Sequence, residues 1–204
     1  MSEPTRPAAS PPVAFVAADP DTKDWTWVLD RPCPSCGVAA GALALDEVPD
    51  LLTESAEAWA TVLSGSDTAA LRRRPRPGTW SPTEYGAHVR DVHRIFDERL
   101  ALVLAAPSGE AARFANWDQD EAAAAGRYDL AEPAAVAADL VAASGRVQER
   151  YAAVRPEDAG RAGLRSNGSA FTVTTLAQYH LHDVLHHLHD VGAPVPGTSG
   201  ERTA

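Results

Sequence analysis

Ser81-Pro82-Thr83-Glu84-Tyr85-Gly86-Ala87-His88 reads as the opening of a long helix, and the rest of the chain arranges itself around it. The Ser81 hydroxyl can cap free backbone amides, Pro82 suits the first helical position, and Glu84 sits where it completes a capping box. Beyond it, Tyr85, Val89, Val92, Phe96, Leu100 and Val103 recur at helical spacing, which predicts a helix to about Ala105 with one buried stripe. His88 borders that stripe and faces inward.

Three further segments carry the same period. Val48, Leu51, Leu52, Ala56, Trp59, Val62 and Leu63 predict a helix from near Leu45, with Pro49 in its first turn and Gly65-Ser66 closing it. Pro133 starts another, whose stripe is Val136, Leu140, Ala143, Val147 and Tyr151, running to about Val154. Phe171-Thr172-Val173 opens the last, which ends before Gly192. Four helices with no convincing sheet predict an all-α fold, a four-helix bundle over residues 43–191.

Outside the bundle, residues 1–20 are rich in Pro, Ala and Ser and read as a disordered arm. Residues 21–42 read as an irregular but ordered extension, in which Trp25 and Trp27 alternate like a short strand. Residues 106–131 and 155–170 read as loops, the first long for a bundle connection. Residues 192–204 read as a flexible tail.

Composition limits the function classes. With 45% apolar and 23% charged residues the chain can bury a core. A net charge of −10 argues against nucleic acid or an anionic membrane as the main partner. No 18-residue apolar run marks a membrane span, and Met1-Ser2-Glu3-Pro4 does not begin a signal peptide. Two cysteines make no disulfide framework, so the expectation is a cytoplasmic protein acting on a small molecule. The 18 basic residues include one lysine, Lys23, the mark of a GC-rich bacterial coding bias.

Five of the seven histidines lie in the last helix: His180, His182, His186, His187 and His189. Residues four apart on a helix are separated by about 40°, so His182 and His186 can share one metal ion. A third ligand from another helix would leave positions open for water or substrate. His88 is the best placed, whereas His93 reads as a surface residue. His180 and His187 form a competing pair on another face. A His-rich surface helix without metal is the plainer reading of the same pattern.

Cys33-Pro34-Ser35-Cys36-Gly37 admits three readings: a tight turn with buried thiols, half of a zinc knuckle, or a redox dithiol. As a half-site, it needs two more ligands, from a second copy or from His and Asp nearby. Asp91 and Asp183 neighbour the proposed ligands and can orient a metal-bound imidazole or pair with surface arginines. His189 and Trp117 are candidates for lining a substrate pocket. In Arg72-Arg73-Arg74-Pro75-Arg76, Arg73 is a candidate anion contact, against a solvated loop.

Trp80-Ser81-Pro82-Thr83-Glu84-Tyr85-Gly86-Ala87-His88 resembles the Trp-Ser-x-x-Glu-x-x-x-His signature of the DinB/YfiT-like superfamily. His182-Asp183-Val184-Leu185-His186-His187 resembles its closing His-x-x-x-His element. The resemblance implies a bundle holding a divalent metal, often zinc or nickel, on His88, His182 and His186. It also implies an enzyme, with S-transfer from a low-molecular-weight thiol such as mycothiol as the first activity. A metal-dependent hydrolase and a non-catalytic metal- or ligand-binding module are the alternatives. Family members are often homodimers, and the resemblance allows that state here.

Overall fold

A computed structural model describes residues 14–20, 24–65 and 67–198. The disordered arm expected over 1–20 and the flexible tail expected over 192–204 lie partly outside these residues.

Four long helices form the bundle: α1 (Val48–Leu63), α3 (Pro82–Ala105), α5 (Pro133–Ala152) and α6 (Val173–Asp190). Two short helices, α2 (Thr68–Leu71) and α4 (Gln119–Ala125), lie in the connections. The start of α3 is built as its sequence predicts. The Glu84 amide donates to the Ser81 hydroxyl at 3.3 Å, and the Ser81 amide donates to the Glu84 carboxylate at 2.8 Å. Thr172 caps α6 in the same way, accepting from the Thr175 amide at 3.1 Å.

Helix α5 packs against α1 and α3, and α6 packs against the same two helices. Helices α1 and α3 therefore face each other across the diagonal, although they are successive long helices in the chain. Gly86 permits their approach: a Cβ there would stand 2.8 Å from the Leu63 side chain. Leu52, Trp59, Leu100, Leu140, Leu181 and Leu185 fill the centre of the bundle. No helix among the described residues is long and apolar enough to cross a membrane.

The segments read as loops contain a small sheet: β1 (Ala112–Phe114), β2 (Ala162–Arg165) and β3 (Ala170–Thr172). Strand β2 is central, parallel to β1 with Ala112 opposite Gly163, and antiparallel to β3 with Ala162 opposite Thr172. Strands of three or four residues are too short to show alternation, and β1 finds its partner about fifty residues away. The sheet ties the two long connections together and leaves the all-α character of the fold intact.

The extension is built from short turns. Residues Thr26–Leu29 make a 3-10 turn, so the strand-like alternation of Trp25 and Trp27 does not mark a strand. The Asp24 carboxylate accepts the Thr26 amide at 2.9 Å and starts that turn. A second turn, Ala40–Ala42, packs against it. Val38 and Ala40 are buried in the same core as the bundle helices, and Val28 is buried as well. Gln178 of α6 donates to the carbonyls of Gly41 and Leu43 at 3.3 and 2.8 Å. Further out, Arg74 donates to the carbonyls of Val16 and Ala17, and the Asp19 amide donates to Gly78.

Candidate metal centre

Helix α6 positions two groups of potential ligands one residue out of phase. A step of one residue turns a helix by about 100°. His182 and His186 therefore meet the extension, while Asp183 and His187 meet α3. The donor atoms of Cys33, Cys36, His182 and His186 all lie within 4.8 Å of one another, and so do those of His88, Asp183 and His187.

The three residues singled out as ligands in the sequence are thus divided. His182 and His186 belong to the group with both cysteines, and His88 belongs to the other. Asp183, expected as an orienting carboxylate, stands among the donors themselves. His187, placed in a competing pair with His180, is its partner instead.

His88 projects from α3 into a fully buried position beside two indoles. Its ring lies 5.3 Å from Trp117, nearly parallel, and 5.2 Å from Trp80. Its Nε2 is 3.5 Å from Asp183 Oδ1, and neither ring nitrogen has a well-formed hydrogen bond among the described residues. Burial lowers its pKa against the pull of Asp183, which favours the neutral imidazole that can ligate metal. His187 Nε2 is 3.3 Å from Asp183, and its Nδ1 donates to Asp190 at 2.8 Å. Burial works against protonation of His187, but these two carboxylates raise its pKa to about 9. Burial likewise works to raise the Asp183 pKa, and the hydrogen-bonding His187 and the nearby His88 ring together hold it well below the carboxylate range.

In the other group, Cys33 Sγ lies 3.6 Å from His186 Nδ1, and Cys36 Sγ lies 3.8 Å from His182 Nε2. The cysteines are buried free thiols. Burial pushes the Cys36 thiol up to about 11, against a hydrogen bond from the Val38 amide that favours thiolate. Burial and the neighbouring His186 lower His182 to about 4. The Trp25 ring covers this group, 5.8 Å from His182 and 5.1 Å from His186.

A cavity of about 200 Å³ lies over α6 and touches both groups. Trp25, Trp80, Tyr85, Tyr179, Asp183 and His187 are among its walls. Tyr85 stands 5.1 Å from the His187 ring.

Other expected site residues are placed differently. Trp117 stacks on His88, whereas Asp91 is held by Arg90, Arg94 and the Tyr128 hydroxyl. Arg73 is exposed. Within that basic run, Arg74 donates through Nε to Glu84 at 2.9 Å, and Arg72 donates to Glu132 at 2.9 Å. His189 is exposed at the end of α6, its ring 6.2 Å from His186. His93 is fully buried, contrary to the surface position expected for it, and its Nδ1 is 3.0 Å from His180 Nε2. The apolar stripe of α3 is wide enough to take in His93, because α5 and α6 both pack on that helix.

Asp190 was not singled out in the sequence. One carboxylate oxygen accepts from His187 Nδ1, and the other lies 3.7 Å from His186 Nε2. Its spacing of three from His187 and four from His186 is the signal that points to it.

Among solved structures, YfiT from Bacillus subtilis, described as "a probable metal-dependent hydrolase with an unusual four-helix bundle topology", matches with a TM-score of 0.62 at 20% identity, over 71% of this chain and 82% of that one. A mycothiol-dependent maleylpyruvate isomerase matches with a TM-score of 0.60 at 16% identity, over 76% of this chain and 63% of that one. A histidine-to-alanine variant of that isomerase gives 0.61 at 15% identity, over 76% and 64%. At these identities the likeness is one of fold. No curated protein matches the chain. A sequence profile covers residues 45–191, all four long helices included, and by that match the chain belongs to the DinB superfamily.

Proposed function

We propose that this protein is a metal-dependent enzyme whose divalent ion is held by His88, Asp183 and His187, and that it transfers a low-molecular-weight thiol to a small electrophile. The observation that carries the metal reading is the convergence of these donors, within 4.8 Å of one another, beside an aromatic-walled cavity. A buried imidazole without a well-formed hydrogen bond, as at His88, is costly unless something else satisfies it. Two imidazoles and one carboxylate suit catalytic zinc, and imidazole also suits nickel.

An ion bound there would lower the pKa of a bound thiol or water and so supply a nucleophile at neutral pH. The chain's own residues do the rest. Asp190 fixes the His187 ring through Nδ1 and leaves Nε2 turned toward the donor set. Trp117 stacks on the His88 ring and Trp80 packs against it. Trp25, Trp80 and Tyr85 give the cavity aromatic walls. The Trp80 indole N–H is buried and has no partner among the described residues, so it is available to an acceptor on the substrate.

The thiol reading is supported by the fold shared with a mycothiol-dependent isomerase. In the transfer, the thiol gives up its proton, sulfur bonds to the electrophilic carbon, and the leaving group departs with its electron pair. The test is incubation with mycothiol and monochlorobimane, followed by mass spectrometry. The expected product is the thioether with release of chloride, lost in His88→Ala. A thioether formed at the uncatalysed rate in both proteins overturns the reading.

Hydrolysis is the second reading, favoured by the larger share of YfiT that the chain covers. Water replaces the thiol on the same three residues, and cleavage of an ester or amide without thiol would identify it. We take the substrate to be a small molecule in either case, since the cavity is small and the charge strongly negative.

A further inference from the structure

We propose that Cys33, Cys36, His182 and His186 form a second metal site, a closed zinc site that fastens the N-terminal extension to α6. It shares no donor with His88, Asp183 and His187, so it stands or falls separately from the functional reading above.

The distances fit a tetrahedral ion. With Zn–S near 2.3 Å and Zn–N near 2.0 Å, adjacent sulfur and nitrogen ligands stand about 3.5 Å apart. The two sulfur–nitrogen pairs are 3.6 and 3.8 Å apart here. Two thiolates and two imidazoles complete the coordination of zinc and leave no position for substrate. This is the chemistry of a structural ion.

The surrounding backbone is shaped for it. Gly37 adopts a positive φ of 77°, and its amide donates to the Cys33 carbonyl at 2.8 Å. The Cys33 amide donates to Val38 at 2.9 Å, so the turn closes around both sulfurs. The Val38 amide also faces the Cys36 sulfur, where it supports negative charge. On α6, the spacing of four sets His182 and His186 on one face, with ring centres 5.2 Å apart. Asp190 stands 3.7 Å from Nε2 of His186, on the far side of that ring from Cys33. A carboxylate in this place is how ligating imidazoles are commonly oriented.

Binding replaces two thiol protons with one zinc(II) ion and involves no change of oxidation state. Its consequence reaches the cavity. The ion would fix His182 and His186 beneath Trp25, and Trp25 is one wall of that cavity. The extension would then be a fixed part of the substrate pocket, held by the ion as well as by Gln178.

The test uses the full chain, purified under reducing conditions. Zinc content should fall by one ion per chain in Cys33→Ser/Cys36→Ser. A separate ion should be lost in His88→Ala/His187→Ala. Reconstitution of the wild-type chain with cobalt(II) should give intense thiolate-to-cobalt charge-transfer absorption, retained in His88→Ala/His187→Ala. Hydrogen exchange over residues 33–42 should quicken when zinc is stripped. A cobalt-loaded, reduced wild-type protein without the thiolate band overturns the proposal. The wild-type cobalt spectrum decides the matter even if the cysteine variant does not fold.

Discussion

His186 Nδ1 lies 3.6 Å from the sulfur of Cys33, a residue 153 positions earlier in the chain. That contact joins the irregular extension to the last helix of the bundle. It also takes His186 away from His88, which turns instead to Asp183 and His187. One helix thus serves two groups of ligands, and Asp190 at its end reaches a histidine of each.

Asp190→Asn should weaken metal binding at the His88 group by about 10–100-fold, the usual effect of losing a carboxylate behind a ligating imidazole. His187 would keep a neutral hydrogen-bond acceptor but lose the charge that orients and polarises its ring. Competition with a chelator measures the change. An unaltered affinity would mean that Asp190 does no more than end the helix.

Gly41→Ala should unseat the extension. A Cβ at Gly41 would stand 1.8 Å from the carbonyl oxygen of Leu29, a backbone atom that cannot swing aside. The two turns of the extension must then separate, and the Gln178 bonds to Gly41 and Leu43 loosen with them. Overpacking of this kind costs about 1–3 kcal/mol, readable as a lower midpoint in urea. A stability equal to wild type would show that the extension tolerates displacement.

The bundle was legible because its signals are local. The Ser81–Glu84 capping box, the prolines at the helix starts and the apolar stripes each depend on residues within a few turns. The division of the ligands was not legible from spacing alone. His182-x-x-x-His186 and Asp183-x-x-x-His187 have the same period, one step apart, and only the packing partners decide which meets α3. Those partners are 146 and more residues away for the cysteine group, as Cys36 to His182 illustrates. The two histidines were discernible as a pair and Cys33–Cys36 as an incomplete site, but the contact between them belongs to the tertiary fold. The sheet was hidden for a related reason, since three-residue strands carry no period to detect.

Arg74→Ala should destabilise the fold by roughly 3 kcal/mol, because breaking a buried pair leaves its partner charged and unmatched. Glu84 is only 2% exposed, and Arg74 reaches it through both Nε and Nη2. Arg74 also holds the carbonyls of Val16 and Ala17, so residues 14–20 should exchange amide hydrogens faster in the variant. Arg73→Ala is the control, since Arg73 is exposed, and should leave both stability and exchange near wild type.

Acid should act on the fold through His93. Burial lowers its pKa to about 3, and the nearby Asp183 only partly opposes this. The groups facing it are His180 across the 3.0 Å contact and, further off, Asp183 and Arg99, which also influence His180. An unfolded histidine titrates near 6.5. Above that pH both states are neutral at this position and His93 contributes no pH dependence. As pH falls below 6.5, the unfolded chain takes up a proton that the folded chain refuses, so stability declines until the folded pKa is reached. At pH 5 the difference is about 2 kcal/mol, set by the unfolded value alone. His93→Gln keeps a hydrogen-bonding group and removes the titration. Its stability relative to wild type, from urea unfolding, should improve by that amount between pH 7.5 and pH 5. Metal ligands protonate alike in both proteins and cancel in the comparison. Parallel stability curves would show that His93 is not held neutral in the fold.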